Sequence, residues 1–226
     1  MNFLIYNDGN YTKENETLIE SVKTYSQFKP IIFDKKQIDT DFKNKYQHIL
    51  SQHRGGGYWL WKPYIIYYTL KDLKDNEILI YSDAKYYFTE EFKDLYKDHL
   101  KKTDIVVWHN KPNEGINHMM TYCKPEVVYE YKMEDLVYNK GCIDCWAGFI
   151  VIKKTDCSLK LIKEWLEMCC TKDHITDNID IDTDYNSQYF RDHRHDQSLL
   201  SILLYKYNIE TYFFPKKYLQ NVRCPY

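Results

Sequence analysis

The 226-residue sequence contains no run of ~18 or more apolar residues, so no segment reads as a membrane-spanning helix. Its opening, MNFLIYNDGN, lacks the basic and apolar regions of a signal peptide and reads as a first strand. There is no Gly-x-x-x-x-Gly-Lys-Ser/Thr loop and no Gly-x-Gly-x-x-Gly, which removes the P-loop and the dinucleotide fingerprint. Excess charge of one sign is absent too. With 31 basic and 33 acidic residues the net charge is -2, and no general electrostatic drive toward nucleic acid exists. The seven cysteines are odd in number and lack the spacing of a small disulfide scaffold, so they read as reduced thiols of a cytosolic protein. Cys142-x-x-Cys145 is half of a zinc site at most, because no second pair answers it. No internal repeat and no linker-like stretch divides the chain, and residues 1–226 are expected to form one domain.

What is present is an ordinary globular balance, 44% hydrophobic and 28% charged, which suffices for a sizeable core. The 23 tyrosines stand out. They fit a base-biased genome, and they also fit carbohydrate recognition, since tyrosine and tryptophan offer a flat apolar face with a polar tip. Segments alternate in period, which predicts an α/β domain. Short apolar strands are expected at Phe3–Tyr6, Ile31–Phe33, Glu77–Tyr81, Ile105–Trp108, Ala147–Ile152 and a last one at Glu210–Phe214. Helical spacing is expected over Glu14–Phe28, Phe42–Leu50, Pro63–Leu73, Ser158–Cys170 and Asp196–Tyr207. The polar stretch Thr171–Tyr189 reads as a loop.

In open α/β sheets ligands bind beyond the carboxyl ends of strands, so the polar residues placed there are the ones to inspect. Asp8, Asp83 and His109-Asn110 qualify. Asp83 follows four apolar residues and precedes the small Ala84. A carboxylate there suits a divalent cation against a diphosphate, which takes hard oxygen ligands, and it suits a helix cap or turn equally. The densest unusual string is RGGGYWLWKP, Arg54 to Pro63. Its glycines permit close backbone approach or positive φ, Trp59 and Trp61 offer stacking surface, and Arg54 and Lys62 supply phosphate-sized charge. Packing of those aromatics under a helix explains the string as well. Near the other end, HRHDQS places Asp196 at the start of an apolar helix, where it serves as a cap or as a carboxylate on an active-site rim beside His195 and Gln197.

Together these strings have a familiar order. RGGGYWLWKP, a strand ending in SDA, AGFIVIKKT with a following EW helix, and HRHDQSLL resemble a family of bacterial and large-virus glycosyltransferases of the GT-A, nucleotide-diphosphosugar type. The resemblance runs from Asn2 to about Tyr207. It implies a Rossmann-like domain with a mostly parallel sheet, a nucleotide-diphosphosugar donor and a glycan or other hydroxyl acceptor. It is compatible with a cytoplasmic enzyme, in the host cytoplasm for a virus. More distantly the chain is similar to glycogenin-type transferases. That likeness assigns Tyr6, Asn7, Asp8 and Tyr11 to a uridine nucleotide, so that a UDP-sugar is the expected donor. Lys62 would reach the donor sugar or diphosphate, and Asp196 and Gln197 would lie beside the reacting sugar. Trp59, Trp61, Trp146 and His195 are expected around acceptor or sugar.

One departure matters. The family's metal motif is Asp-x-Asp, and here it reads Asp83-Ala84-Lys85. Mn2+ or Mg2+ on Asp83 is the expectation, and a metal-free site with Lys85 neutralising the diphosphate is the alternative. Asp196 is expected as general base for inversion, or as a stabiliser of positive charge on the sugar for retention, with Asp144 the second choice. A donor- or glycan-binding domain without catalysis is the rival class, supported by the incomplete metal motif.

Overall fold

In the computed structural model of the chain the described residues are 1–10, 12–109, 118–140, 142–178, 189–214 and 218–221. Tyr11 and Asn110, both singled out above, lie outside them. Six strands form the central sheet: β1 (Asn2–Asn7), β2 (Lys29–Asp34), β3 (Ile78–Ser82), β5 (Ile105–His109), β6 (Trp146–Lys153) and β7 (Tyr212–Phe213). Their order is β2-β1-β3-β6-β5-β7. β1 runs parallel to both β2 and β3, and β5 parallel to β7; only β6 opposes its neighbours. The expected mostly parallel α/β domain is therefore present.

The period of two in the strands builds two apolar layers. Leu4, Leu79, Tyr81, Ile150 and Ile152 face one layer, covered by the helices Trp61–Asp72, Asp156–Cys169 and Asp196–Lys206 through Ile65, Ile66, Trp165 and Leu200. Phe3, Ile5, Ile80, Phe149 and Val151 face the other, covered by Leu18 and Val22 of the helix Thr12–Tyr25 and by Phe88 and Phe92. Phe88 and Phe92 stack at 3.8 Å, with Phe3 edge-on to both. Among the described residues no helix is long and apolar enough to cross a membrane.

Several boundaries differ from the sequence expectation, each for a local reason. Helix Trp61–Asp72 starts two residues before Pro63, which fits because a first-turn N–H has no partner to lose. The expected helix over 42–50 breaks at Tyr46 (φ -108°, ψ 23°) into Thr40–Lys45 and Gln47–Leu50. Helix Asp156–Cys169 begins under a reciprocal cap, in which Thr155 and Ser158 exchange side-chain and backbone hydrogen bonds. A short helix, Lys172–Ile175, occupies part of the stretch read as loop. Past β7 the chain adds β8 (Leu219–Asn221), which pairs antiparallel with β4 (Tyr86–Phe88). Three residues carry too little periodicity to announce either strand.

The segment after Arg54 is unusual. Gly55, Gly56, Gly57, Tyr58 and Trp59 all have positive φ: +59°, +60°, +98°, 51° and 61°. They form one left-handed turn closed by Tyr58 N–H to the Arg54 carbonyl at 2.8 Å and Trp59 N–H to that of Gly55 at 3.3 Å. An L-residue in this region costs about 1–2 kcal/mol, so Tyr58 and Trp59 must be held there. Both lean on the His195 ring, at 5.0 and 5.4 Å between centroids, and Trp61 Nε1 donates to the Gly55 carbonyl at 3.0 Å.

Candidate active site

β1 has its crossover partners on opposite sides, β2 and β3, and the carboxyl ends of β1 and β3 open into a cleft of about 790 Å3. Its walls come from three places. The β1 end contributes Tyr6, Asp8 and Asn10, the β3 end Tyr81, Asp83, Ala84 and Lys85, and the left-handed turn with its flanks Leu50 to His53, Gly55, Gly56, Trp59 and Trp61. The size suits a nucleotide-sized ligand. Tyr6 and Trp61 stack face to face at 3.8 Å, so an aromatic platform lies in the cleft before any ligand enters.

Behind the β3 wall sits a charge cluster. Lys62 is 4% exposed, and its Nζ lies 2.7 Å from Asp196 Oδ2 and 3.6 Å from Asp83 Oδ1. Lys85 Nζ lies 3.5 Å from Asp83 Oδ2, and the Tyr81 hydroxyl donates to Asp83 Oδ1 at 2.7 Å. Burial disfavours the charge on Lys62, but Asp196 and Asp83 outweigh it and its pKa is raised. Burial also opposes ionisation of Asp83, yet Lys62, Lys85 and the Tyr81 hydroxyl together hold its carboxyl below the ordinary range. Asp196 goes the other way: burial, only partly offset by Lys62, pushes it up to about 6. Two carboxylates and two ammonium groups leave the cluster neutral.

This donor set does not fit a divalent cation. Mn2+ or Mg2+ beside a diphosphate is held by one or two carboxylates together with phosphate oxygens and water, and here an ammonium group, Lys85, stands where the second acid of the motif would be. Asp83 already has an ammonium group on each oxygen. Two unit charges roughly 4 Å apart interact by about 4 kcal/mol at an effective dielectric of about 20, and a dication beside Lys62 and Lys85 meets twice that from each.

The remaining expected residues fall into three groups. Tyr6, Asp8, Trp59, Trp61, Asp83 and Lys85 line the cleft. Asn7 and Trp146 are not among its lining residues. Asn7 shapes the β1 turn, its Oδ1 accepting from Gly9 N–H at 3.1 Å, and Trp146 packs edge-on against Tyr86 at 4.8 Å. Arg54, His195, Asp196, Gln197 and Asp144 are not among the cleft-lining residues. Arg54 bridges Asp177 and Asp192 at 3.0 Å each. His195 is 2% exposed and donates from Nδ1 to the Ile175 carbonyl at 2.7 Å, so its ring braces Tyr58 and Trp59. Asp196 is the first residue of its helix rather than the cap; His195, at φ 53° and ψ -120°, holds the cap position. Gln197 has both ends engaged, Nε2 to Asp144 Oδ2 at 2.5 Å and Oε1 to Ala147 N–H at 3.3 Å. Asp144 and Asp196, the two expected bases, are each 3% exposed, and neither meets the cleft directly. Lys35 and His53 line it without having been singled out. Lys35 directly follows β2, so the rule that led to Asp83 also covers it.

Burial pushes the Asp144 carboxyl up to about 7, against hydrogen bonds from Gln197 and Ser201 that favour the ion. Its folded pKa thus exceeds the ordinary 3.8, and the stability it contributes is fully present below that value and lost as pH rises through about 7. At 1.36 kcal/mol per unit, the loss between pH 5 and 8 is about 3 kcal/mol. Asp144→Asn is expected to remove that slope from a series of melting temperatures over this range. Parallel curves for parent and variant would mean Asp144 ionises as an ordinary surface carboxyl.

No family model matches the chain, and no curated protein sequence matches it. Solved structures do. The fold, a mostly parallel six-stranded sheet under flanking helices, is similar to that of solved glycosyltransferase structures. Among them, the WbbM bifunctional glycosyltransferase is similar with a TM-score of 0.56 at 13% identity, over 96% of this chain. Mouse xyloside xylosyltransferase 1 is similar with a TM-score of 0.51 at 8% identity, over 95% of this chain and 85% of its own. The galactosyltransferase LgtC also matches, with a TM-score of 0.49 at 16% identity over 90% of this chain and 70% of its own. The chain spans 39% of the WbbM chain.

Proposed function

We propose that the protein transfers a sugar from a nucleotide-diphosphate donor, UDP-linked by preference, to a hydroxyl acceptor. The observation that carries this reading is the cleft at the carboxyl ends of β1 and β3, which sets an aromatic platform, Tyr6 on Trp61, beside the lysine and carboxylate groups of Lys35, Asp83 and Lys85. The reaction breaks the bond between the anomeric carbon and the diphosphate oxygen and forms one from that carbon to the acceptor oxygen. Negative charge grows on the leaving phosphate, and the ammonium groups on the cleft wall offset it. The acceptor proton goes to a carboxylate. Asp196, raised to about 6, has a proton affinity suited to that near neutral pH. Lys62 stands between Asp196 and the cleft wall, so the base role goes with a shift of that ammonium toward the donor diphosphate. Since the donor set does not suit a divalent cation, no step runs through a metal.

Thermal shift with nucleotides and turnover with nucleotide-sugars test the proposal together. At 100 times its Kd, a ligand adds about 2.7 kcal/mol, which in a domain of this size raises Tm on the order of 5–10 °C. UDP is expected to exceed GDP, ADP and CMP; equal shifts for all four would remove the uridine preference. Asp196→Asn is expected to keep UDP affinity and KM while kcat falls about 100-fold or more. A binding domain without catalysis is the second reading, favoured by Asp83-Ala84-Lys85 and by the burial of Asp144 and Asp196. Donor binding with no release of UDP to any acceptor or to water would establish it.

A further inference from the structure

The Asp83 cluster has a consequence for how a diphosphate is held. We infer that this chain binds the donor diphosphate with lysine ammonium groups in place of a divalent cation, Asp83 acting as the positioning residue that orders Lys85 and Lys62. The inference rests on the nucleotide-diphosphosugar reading and adds the means of charge neutralisation to it.

Three observations carry it. First, both oxygens of Asp83 are engaged, Oδ1 by the Tyr81 hydroxyl and Lys62, and Oδ2 by Lys85. A carboxylate held this way offers a metal no uncontested lone pair and surrounds the position with positive charge. Second, the neighbouring carboxylate is not free to complete a metal site, because Asp196 is itself 2.7 Å from Lys62. The Lys62 ammonium occupies the space between the two acids that a bridging cation would need. Third, Lys85 faces the right way. Its side chain is 39% exposed, it lines the cleft, and its ammonium lies 5.0 Å from the centre of the Tyr86 ring. The salt bridge to Asp83 and the ring contact set its direction before a ligand arrives, so little side-chain entropy is lost on binding. Lys35, directly after β2, is a second cation lining the same cleft. An ammonium point charge is a competent phosphate partner through charge-assisted hydrogen bonds.

Titration calorimetry of UDP against the full chain, once in EDTA and once in excess Mn2+, provides the test. The Kd for UDP is expected to differ less than about threefold between the two buffers. Lys85→Ala is expected to weaken UDP about 10-fold or more in EDTA, without recovery in Mn2+, while its affinity for uridine, which carries no phosphate, matches the parent's. Lys85→Asp gives the converse result: weak UDP binding in EDTA that Mn2+ improves at least 10-fold, because the second acid of an Asp-x-Asp pair is then in place. UDP binding by the parent that appears only with Mn2+ overturns the inference and leaves the donor reading standing. Unchanged UDP affinity in Lys85→Ala overturns it as well. Failure of UDP, GDP and ADP to bind in either buffer overturns both.

Discussion

Lys62→Met is expected to destabilise the protein by about 3–5 kcal/mol at pH 8, the usual consequence of stranding a buried charge by removing its partner. Lys62 is the one cation in contact with both Asp83 and Asp196 among the described residues, and Asp196 is 3% exposed. The effect should depend on pH in a definite direction. Asp196 is already raised to about 6 with Lys62 present, and loss of the ammonium raises it further. Its folded pKa then lies well above the ordinary 3.8, so the protonated folded form is favoured. Stability is retained at acid pH and lost as pH rises through the folded value. The variant should therefore approach the parent at pH 5 and fall away from it by pH 8. Adding Asp196→Asn removes the second charge, and the double variant should regain most of the loss at pH 8. Urea unfolding of the four proteins at the two pH values measures this, and a deficit that is the same at both would show that Lys62 contributes packing rather than charge.

Gly57→Ala is expected to be nearly as damaging, for a reason unconnected with charge. Its φ is +98°, and a Cβ there would sit 2.6 Å from Leu50 Cα and 3.2 Å from the Ile49 carbonyl oxygen. Both obstacles are backbone, so neither rotates away. Strained φ costs about 1–3 kcal/mol and forced overpacking about another 1–3. The neighbouring Gly56→Ala is the control. Its φ of +60° and ψ of 42° lie in the left-handed region, and the nearest atom to its Cβ is Trp61 Nε1 at 3.8 Å. A loss of about 1–2 kcal/mol is expected there. With roughly 2–4 °C of Tm per kcal/mol for a domain this size, the two variants should separate by several degrees. Equal melting temperatures would show that the Ile49–Leu50 backbone yields to the added methyl.

The four strands with runs of four apolar residues were legible because burial on both faces writes itself as continuous Val, Ile, Leu and aromatic residues. Asp83 was legible for a related reason: a carboxylate just past such a run has nowhere to go but the sheet's carboxyl edge. The unread parts depend on who meets whom. Lys62 was expected to reach a donor, and its two acid partners, one following β3 and the other opening the helix Asp196–Lys206, were not foreseen. Nothing local in WLWKP specifies that pairing. Arg54 likewise reads as a phosphate ligand until Asp177 and Asp192 are brought to it. Gln197 and Asp144, both expected to face substrates, satisfy each other across the core. The glycine triplet did announce positive φ, but its continuation through Tyr58 and Trp59 depends on the His195 ring, contributed by a distant segment.

The Arg54 clasp also orders events during synthesis. Asp192 lies 138 residues after Arg54, and Asp177 lies 123 after it. At about 5–20 residues per second, a ribosome needs on the order of ten seconds to deliver those acids once Arg54 has been made. Once β3 has followed, β1, β2 and β3 are available to pair, but the wall at 54–61 has neither its clasp nor the ring of His195 against which Tyr58 and Trp59 rest. The nascent chain therefore carries a sheet with an unfinished mouth, and the cleft gains its final shape only when the segment bearing Asp177, Asp192 and His195 arrives.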